Sequence, residues 1–346
     1  ALVTYISLDS TLRAEATTHG DGGQVIVWSD EMTRILGSIS AQGGQGSGHG
    51  GFIETSSLGF LEIDQNPDIS ATIGDGGTWL IDPTNIDIVA GSGNTNVPSV
   101  NPFTAIGDNA QLGVDLIISA LTGGAEVVIS TSAAGNQEGN ITLTENATID
   151  FNGTGVNSLT LQAANDIVIE GDIFDSVPGN DSLNLTFRAD NDQNGQGGIE
   201  DSGSSNELLN TTGGGTISFS GAFSIIRRDW NSGGGDIEIL GNQGVVTLFG
   251  QINSEGGDID INGVGQQNGD GVVIQGSAPG DELASNGGNI RITGASGINI
   301  GGAANPSSGD LILTADTISI REQGVQSTGT GNLTLQPSSL DGTFII

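Results

Sequence analysis

Along this chain, short apolar–polar–apolar triplets follow pairs of small residues. In the second half the unit reads Gly214-Gly215-Thr216-Ile217-Ser218-Phe219, then Gly234-Gly235-Asp236-Ile237-Glu238-Ile239 and Gly256-Gly257-Asp258-Ile259-Asp260-Ile261. It continues as Gly287-Gly288-Asn289-Ile290-Arg291-Ile292, Ser308-Gly309-Asp310-Leu311-Ile312-Leu313 and Thr330-Gly331-Asn332-Leu333-Thr334-Leu335. The second small residue therefore falls at 215, 235, 257, 288, 309 and 331. A second alternating triplet lies between successive units, as in Val246-Thr247-Leu248 and Ile298-Asn299-Ile300. Alternation at period two places Ile217, Phe219, Ile237, Ile239, Ile259, Ile261, Ile290, Ile292, Leu311 and Leu313 on one side of their strands, with the polar residues opposite.

A repeat of about 20–25 residues, with short strands and no helix, predicts a β-solenoid whose coils pair with their neighbours. The expected fold is all-β, a right-handed parallel β-helix. Recurrence in register, with the same residue types, favours it over an antiparallel sandwich. Glycine and asparagine at the corners supply the positive φ that a turn demands. The first half follows the same rule less regularly, at Gly22-Gly23-Gln24-Val25, Gly50-Gly51-Phe52-Ile53 and Gly76-Gly77-Thr78-Trp79. The expected organisation is coils over residues 1–90, an irregular insertion at 91–110 and further coils over 111–346. Both ends read as apolar strand, Ala1-Leu2-Val3-Thr4-Tyr5-Ile6 and Gly342-Thr343-Phe344-Ile345-Ile346, so head-to-tail self-association into filaments is an expectation.

The motifs of the first ninety residues narrow the picture. Gly22-Gly23-Gln24-Val25-Ile26-Val27-Trp28-Ser29-Asp30 is followed by Gly37-Ser38-Ile39-Ser40-Ala41-Gln42-Gly43-Gly44, by Gly50-Gly51-Phe52-Ile53-Glu54-Thr55-Ser56 and by Trp79-Leu80-Ile81-Asp82-Pro83-Thr84-Asn85-Ile86. This stretch resembles the filamentous-haemagglutinin-like exoproteins, the large adhesins of bacterial two-partner secretion, in the stalk after the secretion domain. Ser57 departs from the pattern, standing where that family commonly has Gly. The resemblance implies a rod-like stalk or extracellular fibre subunit at the bacterial cell surface. It also implies export of the full-length protein through an outer-membrane secretion partner. The resemblance says nothing of the ligand; a glycan, or a host or neighbouring cell surface, is the expected kind of contact.

Composition changes that picture mainly by exclusion. The 346 residues include 41 acids against seven Arg, for a formal charge of −34. Such a surface repels phosphate backbones and anionic headgroups, which argues against nucleic acid and membrane-surface partners. No apolar run approaches the roughly 18 residues of a membrane helix, so no membrane insertion is expected. Cysteine is absent. Acids at equivalent positions of successive coils, Asp236 with Asp258 and Glu238 with Asp260, should repel one another and draw solvent cations.

Two patterns carry candidate chemistry. Asp190, Asp192, Asn194 and Asp201 fall at positions one, three, five and twelve of a loop with Gly195 at six, the spacing of oxygen ligands around calcium; the alternative is an ordinary Asn/Asp/Gly turn. Arg227, Arg228 and Trp230 form the chain's one basic–aromatic cluster and could contact an acidic sugar; the alternative is a loop over the outer sheet. His19 and His49 read as exposed turn residues. Parallel β-helices also include polysaccharide lyases and hydrolases, so a carbohydrate-active enzyme is the rival to a structural role. No nucleophile motif supports it, and catalysis is not expected.

Overall fold

The computed structural model describes residues 1–57, 60–83, 85–92, 110–131, 138–153, 155–176, 181–203, 209–210, 214–265, 269–275, 281–321 and 330–339. The chain divides into two compact units, Ala1–Asp172 and Ile173–Ile346. Both are parallel β-solenoids, built from stacked coils with sides A, B and C. The expected terminal strand at 342–346 lies outside the described residues, as does the 91–110 insertion apart from residues 91, 92 and 110.

In the second unit, side A stacks Asp181–Arg188, Ile217–Gly221, Ile237–Gly241, Ile259–Gly263, Ile290–Gly294, Leu311–Thr314 and Leu333–Gln336. Side B stacks Ile199–Asp201, Ser224–Ile226, Val246–Leu248, Val272–Ile274, Ile298–Ile300 and Ile318–Ile320. Side C is made of short pieces, among them Trp230–Asn231, Ile252–Asn253, Asp281–Ala284 and Ala303–Asn305. Pairing is parallel and in register, Ile217↔Ile237↔Ile259↔Ile290↔Leu311. The antiparallel alternative is thereby excluded. Every side chain expected inward is at most 2 % exposed. Burying an aliphatic side chain of this size contributes about 1.5–3 kcal/mol, so these ladders are the main cohesive element.

The paired small residues have two separate causes. In the second unit the first glycine of the pair occupies a conformation that L side chains rarely adopt, φ +121° at Gly234, +126° at Gly256 and +134° at Gly287. The second sits where coils approach most closely. A Cβ on Gly235, Gly257 or Gly288 would lie 2.2, 2.3 or 2.0 Å from the carbonyl oxygen of Gly215, Gly235 or Gly257 respectively. No side chain fits there, which is why the unit recurs.

The acids beside these glycines are not left to repel. The Asp258 N–H donates to Asp236 Oδ1 at 2.8 Å, Asn289 N–H to Asp258 Oδ1 at 2.7 Å, Asp310 N–H to Asn289 Oδ1 at 3.0 Å and Asn332 N–H to Asp310 Oδ1 at 2.8 Å. Arg291 spans Asp258 and Asp260 at 2.8 and 3.2 Å. Backbone donors, interspersed Asn and one Arg offset part of the repulsion expected along this column.

In the first unit, side A stacks Gln24–Ser29, Phe52–Ser57, Thr78–Pro83, Glu126–Ser130 and Gly155–Gln162 in regular order. Side B does not follow chain order. The strand Ala110–Gly113 pairs with Ile86–Val89 on the edge opposite Ile141–Leu143. The chain thus returns after the insertion to add a strand ahead of one already formed. It then forms a helix, Val114–Thr122, where a side C strand would come. Val114, Ile117 and Leu121 are buried with Leu116 and Ala120. This is the apolar stripe of a one-faced helix, and no Gly or Pro interrupts it. The expectation of coils without helices is corrected here.

Candidate functional site

One member of the acidic set, Asp201, meets the basic–aromatic cluster at a corner between sides B and C of the second unit. Asp201 ends the strand Ile199–Asp201 and is fully buried. Its carboxylate gathers three donors: Arg228 N–H at 2.9 Å, Arg228 Nε at 2.5 Å and Trp230 Nε1 at 3.1 Å. Arg228 is 4 % exposed and Trp230 fully buried. The Trp230 ring stands edge-on to Phe219 at 4.9 Å and Phe187 at 5.7 Å, and those two rings stack at 5.0 Å. A charge this deep is tolerated only when paired and hydrogen-bonded, and both conditions are met. Arg228 and Trp230 therefore hold the coil closed from inside and present no surface to a glycan. Among the three cluster residues only Arg227 is exposed; it pairs with Glu200 at 3.1 Å and lies over the Phe249 ring at 5.1 Å.

The acidic loop is organised by its own backbone. Asp190 Oδ1 accepts the Gly195 N–H at 3.0 Å, Asp192 Oδ1 the Asn194 N–H at 3.2 Å and Asn194 Oδ1 the Gln196 N–H at 2.7 Å. Asp190 and Gln193 take left-handed conformations, φ 55° and 57°. These are successive side-chain-capped turns. Asp201, whose carboxylate is engaged by Arg228 and Trp230, does not join Asp190, Asp192 and Asn194 around a common point. Among the described residues, no group of three or more His, Asp or Glu is arranged to hold a metal ion.

The histidines lie in exposed turns of the first unit, as expected. His49 Nδ1 accepts the Asp75 N–H at 3.0 Å and stands 3.4 Å from the Asp75 carboxylate, while the His49 N–H donates to Asp21 Oδ1 at 2.8 Å. The first unit has its own internal ion pair, Arg34 Nε to Glu62 at 2.6 Å, with Glu62 1 % exposed. No helix among the described residues is long and apolar enough to cross a membrane.

Sequence reasoning passed over one surface feature. Side B of the second unit carries Ile225 and Val273 outward, positions that alternation reserves for polar residues. The doublets Ile225-Ile226, Val245-Val246 and Val272-Val273 are the signal that marks it.

No protein-family model matches this chain, and no curated protein matches it either.

Proposed function

We propose that this chain is a non-catalytic structural segment of a secreted bacterial cell-surface protein, serving as a stalk or fibre subunit of the filamentous-haemagglutinin-like kind. The observation that carries the reading is the destination of the unusual residues. The second glycine of each pair, the Asp/Asn column and the Asp201–Arg228 pair all serve coil-to-coil contact. Chemistry repeated at every coil suits a surface whose task is extension. The motifs over residues 20–89 add the export route, through an outer-membrane partner, and the cell-surface location. Electron microscopy of the protein isolated from its source tests this. Thin rods or fibres at the cell surface are expected; compact intracellular particles, or release of reducing ends from a polysaccharide panel by the purified chain, would overturn it.

A further inference from the structure

The outward Ile225 of side B and the residues that lead into its strands line a groove of about 480 Å³. Phe223, Ile225 and Val245 form its floor, and Gly195 of the acidic turn borders it beside Gln243. Asp270 lines it as well. The Asp270 carboxylate and the Gln243 side-chain amide form no hydrogen bond or ion pair among the described residues. Arg227, the exposed cation beside Ile225, is already engaged by Glu200 and Phe249. Apolar floor, an unengaged carboxylate and a net charge of −34 define the complement: an apolar group carried next to a positive charge.

We propose that this groove is a docking site for a basic, apolar peptide segment of a partner protein. An aliphatic or aromatic side chain rests on Phe223, Ile225 and Val245. A neighbouring Lys or Arg meets Asp270, and Gln243 bonds the peptide backbone. This goes beyond a structural role, since a coil stack needs no such groove. The wall at Gly195 adds shape, for a Cβ there would meet Gln243 Oε1 at 2.4 Å, so the turn and the amide stand in contact.

Fluorescence anisotropy with the full chain and a labelled Lys-Leu-Phe-Lys-Leu-Lys peptide tests the proposal. Saturable one-to-one binding is expected, weakened about tenfold by Asp270→Asn, as for loss of one close charge pair. The double change Ile225→Ser with Val245→Ser should abolish it, while Glu238→Gln, on side A, should leave it unchanged. Thermal melts establish that the variants fold. On the unaltered protein, a peptide with Ser at its three apolar positions should fail to bind. Equal binding of the Ser peptide, or equal weakening by Glu238→Gln, would reduce the effect to net charge and overturn the proposal. Displacement of the peptide by a neutral oligosaccharide, with affinity indifferent to Asp270→Asn, would overturn it in favour of a glycan site.

Discussion

Each unit builds a side A of the same kind, and the two differ in how they turn the corners around it. On side A both place a glycine column at the coil contact: a Cβ on Gly51 or Gly77 would meet the previous column carbonyl at 2.1 or 2.0 Å, as on Gly235 and Gly257. Away from it, the second unit repeats one device. Ser232, Ser254 and Ser285 each donate to the carbonyl of the glycine three residues on, and to a carbonyl of the next coil. The described corners of the first unit use other devices. Thr33, just past side A, bonds Ser29 at 2.8 Å and the Ser56 carbonyl at 2.7 Å, and a helix replaces a strand after Gly113. A parallel ladder constrains only the backbone of its strands, whereas a corner can be closed by any side chain of suitable reach. Corners are therefore where two solenoids with one kind of ladder diverge.

The largest effect should come from the second unit's buried corner. Asp201→Ala removes the carboxylate that the buried Arg228 bonds through its backbone N–H and Nε, and with it the Trp230 Nε1 acceptor. Breaking a buried pair from one side costs about 3–5 kcal/mol. The loss should be local, because each coil rests on its neighbours. Hydrogen exchange should show lost protection in the strands Ser224–Ile226 and Trp230–Asn231, with Phe52–Ser57 and Thr78–Pro83 of the first unit unaffected. A uniform change across both units, or a loss below 1 kcal/mol, would remove the distinction drawn between them.

That corner also shows how far the sequence could be read. The ladders were legible because period-two alternation and the glycine pairs follow from backbone geometry, and that geometry is the same in every coil. Asp201 was legible as an acid at a calcium-like spacing and Arg228 as a member of a basic cluster. Their partnership was not, for it depends on coil length bringing residues 27 apart into contact. The helix Val114–Thr122 was obscured because its apolar run also suits a buried strand. The strand Ala110–Gly113, added to the sheet out of chain order, carries no local mark at all. The groove was visible in the doublets at 225–226 and 245–246, which a search for alternation reads merely as imperfect strands.

A glycine comparison sharpens the same contrast at intermediate size. Gly257→Ala drives a Cβ to 2.3 Å from the Gly235 oxygen, backbone against backbone, with no rotamer to relieve it. Overpacking of this kind should cost at least about 3 kcal/mol. Gly123, after the first unit's helix, has φ −74° and would place a Cβ 3.3 Å from the Ala120 oxygen. Ala should be tolerated there within about 0.5 kcal/mol, as at ordinary surface sites. Urea midpoints of the two variants give the comparison directly. Equal midpoints would show that the column is not the constraint on coil spacing.

The smallest effect concerns charge in the Asp/Asn column, and it separates hydrogen bonding from electrostatics. Partial burial alone would raise the Asp258 carboxyl, but the Asn289 N–H and the Arg291 guanidinium outweigh it and hold the group below the ordinary carboxylate value. Because the folded value is the lower one, the unfolded chain takes up the proton first as pH falls. The charge contribution of Asp258 is therefore complete above the unfolded value of about 4 and is lost as pH drops through the folded value. Asp258→Asn should retain the column, since Asn289 already accepts the Asp310 N–H at the equivalent place. It removes only the attraction to Arg291, which is 41 % exposed and so worth less than about 1 kcal/mol. At pH 6 and low salt the variant should thus be slightly less stable. The gap in urea midpoint should close toward pH 3 and in high salt. A gap that persists in acid would mean that the carboxylate acts here as a hydrogen-bond acceptor that Asn cannot replace, so the column would depend on which residue, Asp or Asn, occupies each coil.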